Sequence, residues 1–455
     1  MRGLSVLILV LAVMLTVAGC GASENNNGGT PTKQVAGETP AGTEQVKAKE
    51  PAELTLWVAS REQDDFTAEM EAKFLEANPH ITLNKVVHEG DVGNDYFQGV
   101  AAGNAPDLVS ASYAVLPKYI KAGITLPLND YIADWPDYAN FPKTEQDKFT
   151  DKSGNVHTII NSLGNLQLGY NKKLFAEAGL TEPPKDWDQL LAYAKKLTKP
   201  DKQQAGYGML TGEFTDWWFE YYVWQAGGDL TKENPDGTAT LTFTDPAALK
   251  AAEFYRTLRK EKVTQSDVTM KFGDMVNAFA TGKIAMMPFA GDWLSWAVSL
   301  GAKPEDIGFA LMPAGPSGER GLGNSYGGGF IINPNSSKAK QDASWEFIKF
   351  YSSKEYVIAL MKNAASKGAV NPVPLYRTDV KYSDAGVTMD PEMEAFLAES
   401  IKTSKPEYYG RGFFTKYLDQ AIQKFILDAN ADPEKELQKA QDIVTKEVLE
   451  EFNKQ

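Results

Sequence analysis

The residues of this chain whose types and spacing could do chemistry are mostly aromatic. Trp217-Trp218-Phe219 with Tyr221, Tyr222 and Trp224 put six aromatics into eight positions. The core face of one helix needs three or four of them, so the others are expected to point away from it as a binding surface. Trp293 and Trp296 follow Gly291-Asp292 just after an apolar run, at a strand end, where α/β proteins collect ligands. Tyr408, Tyr409, Phe413 and Phe414 form a third cluster around Arg411. Flat rings suit the apolar C–H faces of pyranose sugars, and nearby Asp, Asn and Arg side chains can bond the hydroxyls. Any single ring is as readily explained by burial in a core. Three clusters beside loops point to a surface that binds.

Catalytic tools are scarce. Only three histidines occur (His80, His88, His157), none with a neighbour at metal-ligand spacing, and HExxH, Walker A and GxGxxG patterns are absent. Thr281-Gly282-Lys283 touches the phosphate-loop pattern, but the upstream glycine is misplaced and Ile284 replaces the hydroxyl residue, so it reads as a helix end. Gly323-Asn324-Ser325-Tyr326-Gly327 fits the GxSxG nucleophile elbow. That motif needs a strand before it and a helix after it, whereas here a loop precedes, an apolar strand follows, and no histidine occurs beyond Ser325. A glycine-rich crossover between two lobes fits better. The open enzymatic alternative is a secreted glycoside hydrolase, which needs only two suitably spaced carboxylates among the 60 acidic residues. No acid stands at a spacing that singles it out, so no catalytic residue, cofactor or metal ligand is assigned.

The N-terminus carries an address. Leu4 to Val17 is an almost unbroken apolar run behind Arg2, and Ala18-Gly19 supply small residues before Cys20, the only cysteine. The run is shorter than the roughly 20 residues of a comfortable membrane span. A signal peptide ending at a sole cysteine resembles the lipobox of bacterial lipoproteins. It implies a signal peptide over 1–19, lipidation at Cys20 and a membrane tether outside the cytoplasm. Residues 20–51, rich in Gly, Asn, Thr, Glu and Lys, have little to bury and are expected to form that tether. The formal charge is −14; removing the single charge of residues 1–19, Arg2, leaves about −15. Such a surface repels nucleic acid and anionic lipid. One cysteine forms no internal disulfide, which fits export across a Gram-positive envelope.

The elements that must position the aromatics follow from periodicity. Leu54 to Val58 reads as a buried strand, Asp64 and Asp65 cap a helix whose face is Phe66, Met70, Phe74 and Leu75, and Ile81 to Val87 returns as a strand. This βαβ unit calls for a parallel sheet, and the class is α/β with mostly parallel sheets. Asp107 to Val109 is a third strand. Asp245-Pro246 marks a helix start with a capping carboxylate, and Pro235-Asp236-Gly237 the turn of a hairpin between Leu230 and Phe243. About 400 folded residues suggest two or more domains.

Taken in order, several segments resemble the extracellular solute-binding proteins of sugar-binding family 1, receptors of ABC importers related to maltose-binding proteins. The carriers are Leu54 to Asn78, Gly103-Asn104-Ala105-Pro106-Asp107, Gly169-Tyr170-Asn171-Lys172-Lys173-Leu174-Phe175 and Pro184 to Leu190. Thr281 to Met287, the glycine-rich Tyr326 to Asn333 and the helix from Ala343 to Tyr351 complete the series. The resemblance implies a two-lobed, type II periplasmic-binding-protein-like α/β fold with the ligand in a cleft between lobes joined by crossing strands. Lobe 1 would comprise 52–163 plus 326–370, and lobe 2 164–325 plus 371–455. It implies ligand-binding roles for Ser60, Arg61, Gln63, Asp64 and Tyr113 on one rim and Asn161 and Asn165 by the crossover. Trp217, Trp218, Tyr221, Asp292, Trp293, Tyr326, Tyr409 and Arg411 would complete the site. The implied protein is a monomeric, lipid-anchored receptor that captures a carbohydrate, an oligosaccharide by its spread of aromatics, and hands it to permease subunits by closing its lobes. A receptor for another small solute is the remaining alternative.

Overall fold

In the computed structural model of the chain, the residues described are 49–59, 64–88, 92–112, 115–367 and 371–454. The signal segment, Cys20 and Ser60, Arg61, Gln63 and Tyr113 lie outside them. The opening strand β1 (Ala52–Ala59) alternates as a half-covered strand should, burying Ala52, Leu54, Leu56 and Val58. Full burial of a leucine such as Leu54 is worth about 2 kcal/mol. Asp64 caps the helix Asp65–Ala77 by accepting a hydrogen bond from the Thr67 N–H at 2.8 Å, and that helix buries Met70 and Phe74. Asn78-Pro79 ends it, and β2 (Ile81–His88) pairs parallel with β1. The expected βαβ unit is present.

Beyond it the sheet departs from expectation. With β3 (Leu108–Ser112), β4 (Ser162–Asn171), β7 (Met286–Ala290), β8 (Ile307–Ala310) and β9 (Ser325–Ile332), the order is β2-β1-β3-β9-β4-β7, with β8 also on β4. A separate hairpin joins β5 (Thr231–Glu233) to β6 (Ala239–Leu241), as the Pro235-Asp236-Gly237 turn predicts. The expectation of mostly parallel sheets is corrected. Among the described strands only β1–β2 and β1–β3 are parallel, and β3–β9, β4–β9, β4–β7 and β4–β8 are antiparallel. The cause is the path of the chain. β4 leaves one core for the other and β9 comes back, so the two run in opposite directions where they pair.

Two large cores flank that pairing. One holds Leu54, Phe74, Leu108, Ile159, Leu163, Ile331, Phe347 and Tyr351; the other holds Leu166, Leu168, Trp187, Met275, Phe289, Phe414 and Phe425. Tyr326 packs partly against both. A third segment, through Tyr376 and Val380, packs on the first core. The second core is threaded by the helix Thr215–Gln225, which corrects the expectation that several of its aromatics face outward. Trp218, Phe219, Tyr221, Tyr222 and Trp224 are all 1 % exposed or less, and only Trp217 is half-buried. A helix buried on all its faces is an interior helix, here with the acids Asp216 and Glu220 buried among its rings. This one is packed against Tyr255 and Phe425 on its neighbouring helices. The helix Pro246–Lys260 starts where expected, although the Asp245 side chain makes no capping bond.

Candidate functional site

The site grows from the seam between the cores, where Ser162 to Asn165 of β4 pair with Gly328 to Ser325 of β9. Gly164 lies opposite Tyr326, and a Cβ there would stand 2.4 Å from the tyrosine Cζ. Glycine is thus what lets the ring lie flat across β4. So placed, the Tyr326 hydroxyl donates to the Asp292 carboxylate. Asp292 sits in the turn Gly291–Trp293 at the end of β7, and Gly291 is pressed against the Pro372 carbonyl, 1.7 Å from where a Cβ would be. Desolvation pushes Asp292 up to about 6, opposed by the hydrogen bond from Tyr326. Asn371 closes the other side, donating to the Asp292 carbonyl at 3.3 Å and accepting from the Ser295 N–H at 3.1 Å.

Beside this pair stand four rings. Trp293 meets Phe272 edge-on at 4.7 Å between centroids and Trp217 at 6.4 Å; Phe272 meets Trp296 at 5.7 Å. The Trp217 indole donates to Asn324 Oδ1 at 3.3 Å, which ties the cluster to the start of β9. Phe214, three residues before Trp217, is 47 % exposed and holds a left-handed backbone, φ 47°. That conformation is costly for a bulky residue and is met at sites where position matters more than comfort. Neither Phe272 nor Phe214 was singled out from the sequence. The signal for Phe214 was an aromatic two residues after Gly212 and three before the run that opens at Trp217.

Trp217, Asp292, Trp293 and Tyr326 are therefore brought together. Trp218 and Tyr221 lie in the core and do not join them. Asn161 is at the seam, its N–H on the Gly328 carbonyl at 2.9 Å, but Asn165 is buried with its amide on Ser400 Oγ at 2.7 Å. Asp64 serves its helix and faces Lys367 at 3.6 Å. Tyr409 lines a separate pocket of about 760 Å³ where Lys118 and Lys121 from the first side face Lys405 and Phe413 from the second. Arg411, adjacent to it, is committed inward. Its Nε and Nη2 donate to the two oxygens of fully buried Asp216, each at 3.0 Å, and Nη1 to Glu407 at 3.3 Å. Ser325 is buried within β9 and receives Lys148 Nζ at 3.4 Å; a serine inside a strand forms no nucleophile elbow, as the missing context predicts.

Two α/β lobes with crossing strands and an aromatic, carboxylate-bearing surface at the seam define a type II periplasmic-binding fold, a class built to bind solutes. The family model for bacterial extracellular solute-binding proteins matches residues 59–358, and the chain belongs to that family. A relative from Brucella abortus is 30% identical over 317 residues, covering 68% of this chain and 74% of that protein. The diacetylchitobiose binding protein of Streptomyces coelicolor is 28% identical over 377 residues, covering 79% and 80%. Among solved structures, an ABC substrate-binding protein from Listeria monocytogenes in complex with cycloalternan superposes with a TM-score of 0.74 at 22% identity, covering 87% of this chain and 99% of that one. That likeness is one of fold.

Proposed function

We propose that the protein is the substrate-binding receptor of an ABC importer and captures an oligosaccharide. The observation that carries this reading is the grouping of Trp217, Phe272, Trp293 and Trp296 beside the Asp292–Tyr326 pair, at the seam of a solute-binding fold. Indole faces take the C–H faces of sugar rings, and Asp292 and Asn371 offer acceptors and donors to hydroxyls. The named ligands of the Streptomyces and Listeria proteins, both carbohydrates, support the same choice. Residues 52–163 with 326–370 act as one lobe and 164–325 with 371–455 as the other, except that the stretch around Tyr376 and Val380 packs on the first core; β4, β9 and the segment near Asn371 are the connections. Sugar bound to both lobes favours the closed state by its differential affinity for that state. The closed form docks on permease subunits and gives up an unmodified sugar, so the protein acts as a receptor and not as a hydrolase. It works as a monomer, exported by residues 1–19 and held at the outer face of a Gram-positive membrane through lipid on Cys20. A tether of about 30 residues keeps its concentration near the permease high.

Titration with a panel of oligosaccharides tests this, read by tryptophan fluorescence and calorimetry, with overnight chromatography of the ligand. Binding with the ligand returned intact is expected; a shortened ligand would establish a hydrolase instead. Trp293→Ala should weaken affinity more than tenfold, and an unchanged affinity would remove Trp293 from the site.

A further inference from the structure

The pocket lined by Tyr409 gathers cations in a chain with a formal charge of −14. Lys118, Lys121 and Lys148 reach it from the first side and Lys405 from the second. The acids in its wall are engaged elsewhere. Glu233 pairs with Lys152 at 2.9 Å, Glu407 with Arg411 at 3.3 Å, and Asp229 accepts from the Leu230 N–H at 2.7 Å. Lys121 donates to the Phe452 carbonyl at 2.8 Å, and Lys148 pairs with Glu145 at 2.7 Å.

Lys118 and Lys405 differ from these. Among the described residues neither ammonium has a hydrogen bond or a salt bridge. Lys118 Nζ stands 4.4 Å from the centre of the Phe97 ring and 5.2 Å from that of Phe413; Lys405 Nζ stands 5.9 Å from that of Trp224. Both side chains are half-buried, and each ammonium carries three donors. Asp229 senses Lys405 through its field but does not bond it. Cations with unused donors, on opposite walls of one pocket and backed by ring faces, are arranged for an anion to complete them.

Lys405 is also fixed in place. Its carbonyl accepts the Ser325 N–H at 2.7 Å and the Asn324 amide at 3.3 Å, and its own N–H bonds the Gly323 carbonyl at 2.9 Å. Asn324 is the residue that holds the Trp217 indole. The cationic pocket and the aromatic cluster therefore share one strand edge, and a volume of about 760 Å³ is within the range of small-molecule sites.

Resting on the receptor reading above, we infer that this pocket is the anion subsite of the sugar site, and that the transported oligosaccharide is acidic. Its carboxylate or sulfate group bridges Lys118 and Lys405, while its rings stack toward Trp217. Closure is then completed by the ligand's charge.

Calorimetry on the mature protein at low ionic strength tests this with tetragalacturonate, a sulfated neocarratetraose, maltotetraose and chitotetraose. At least one of the two acidic sugars should bind at least tenfold tighter than either neutral one, the better of the two identifying carboxylate or sulfate. Lys118→Met with Lys405→Met should weaken that binding at least tenfold while the melting temperature stays within a few degrees, and raised salt should weaken the unaltered protein alone. Neutral sugars binding as tightly or more tightly, or affinity untouched by the double substitution, would overturn the anion subsite and leave the receptor reading standing. No binding by any sugar in this and the wider panel would overturn both.

Discussion

Each side of the molecule sets an arginine among carboxylates, and the two do different work. Near the first core, the Arg377 side chain is 0 % exposed and bonds both oxygens of Asp137, both of Asp379 and the Ser352 carbonyl at 2.7–3.0 Å. The two aspartates keep 36 % and 29 % of their side-chain surface in water. On the second side, Arg411 faces an excess. Asp216, Glu220 and Asp419 crowd with Glu407 around one guanidinium, Asp216 and Glu220 wholly buried. Arg377 fastens a connection to a lobe. Among the described residues Arg411 is the cation that makes a buried acidic knot tolerable, and that explains why it turns inward from the pocket beside it. The difference teaches that an arginine amid aromatics is not a ligand-binding group until the acids within its reach have been counted.

Arg411→Met is the harshest way to break the comparison. It leaves Asp216 without a counter-charge at full burial, and removing one partner of a buried pair costs about 3–5 kcal/mol. Denaturant unfolding should register a loss of that size, and a loss below about 1 kcal/mol would refute the knot. Arg377→Met should cost less, about 1–3 kcal/mol, because Asp137 and Asp379 can turn their carboxylates to water. An equal or larger cost would erase the distinction between the two sides.

Much of the frame was legible in the sequence. Alternation in Leu54 to Val58, the Asp64 cap and the Asn78-Pro79 stop identify the first unit, and the glycine-rich return at Tyr326 to Asn333 is the strand that crosses between the cores. These are local signals, carried by neighbours in the chain. What the sequence hid depends on distant partners. The antiparallel entry of β9 beside β4 joins segments about 160 residues apart, as Gly164 opposite Tyr326 illustrates. The aromatic run from Trp217 to Trp224 could not disclose that helices beginning at Pro246 and Arg411 would cover it. Of the site, Asp292, Trp293 and Tyr326 were singled out individually. Their meeting rests on Gly164 and Gly291, whose missing side chains carry no pattern of their own.

The smallest effect is the one that separates the two sides by sign. Arg377 bonds hold Asp137 below the usual carboxylate range, so the unfolded chain takes up that proton first and this side loses stability as pH falls below about 4. Around Arg411 the order reverses. Burial, then the charge of Asp216, pushes Asp419 up to about 7, and burial followed by Glu407 holds Glu220 well above its ordinary value. Between about 4 and 7 the folded state therefore binds more protons than the unfolded one, and stability falls as pH rises. Burial wins here because four acids share one arginine, so the last of them to ionise gains little from it. Asp419→Asn should flatten the decline by roughly 1–2 kcal/mol across that window in unfolding measured from pH 4 to 8, after allowance for solvent screening. It should leave the acid limb below pH 4 unchanged. A variant with the original slope would mean that Asp419 keeps its ordinary acidity and that Arg411 serves all four carboxylates as well as Arg377 serves two.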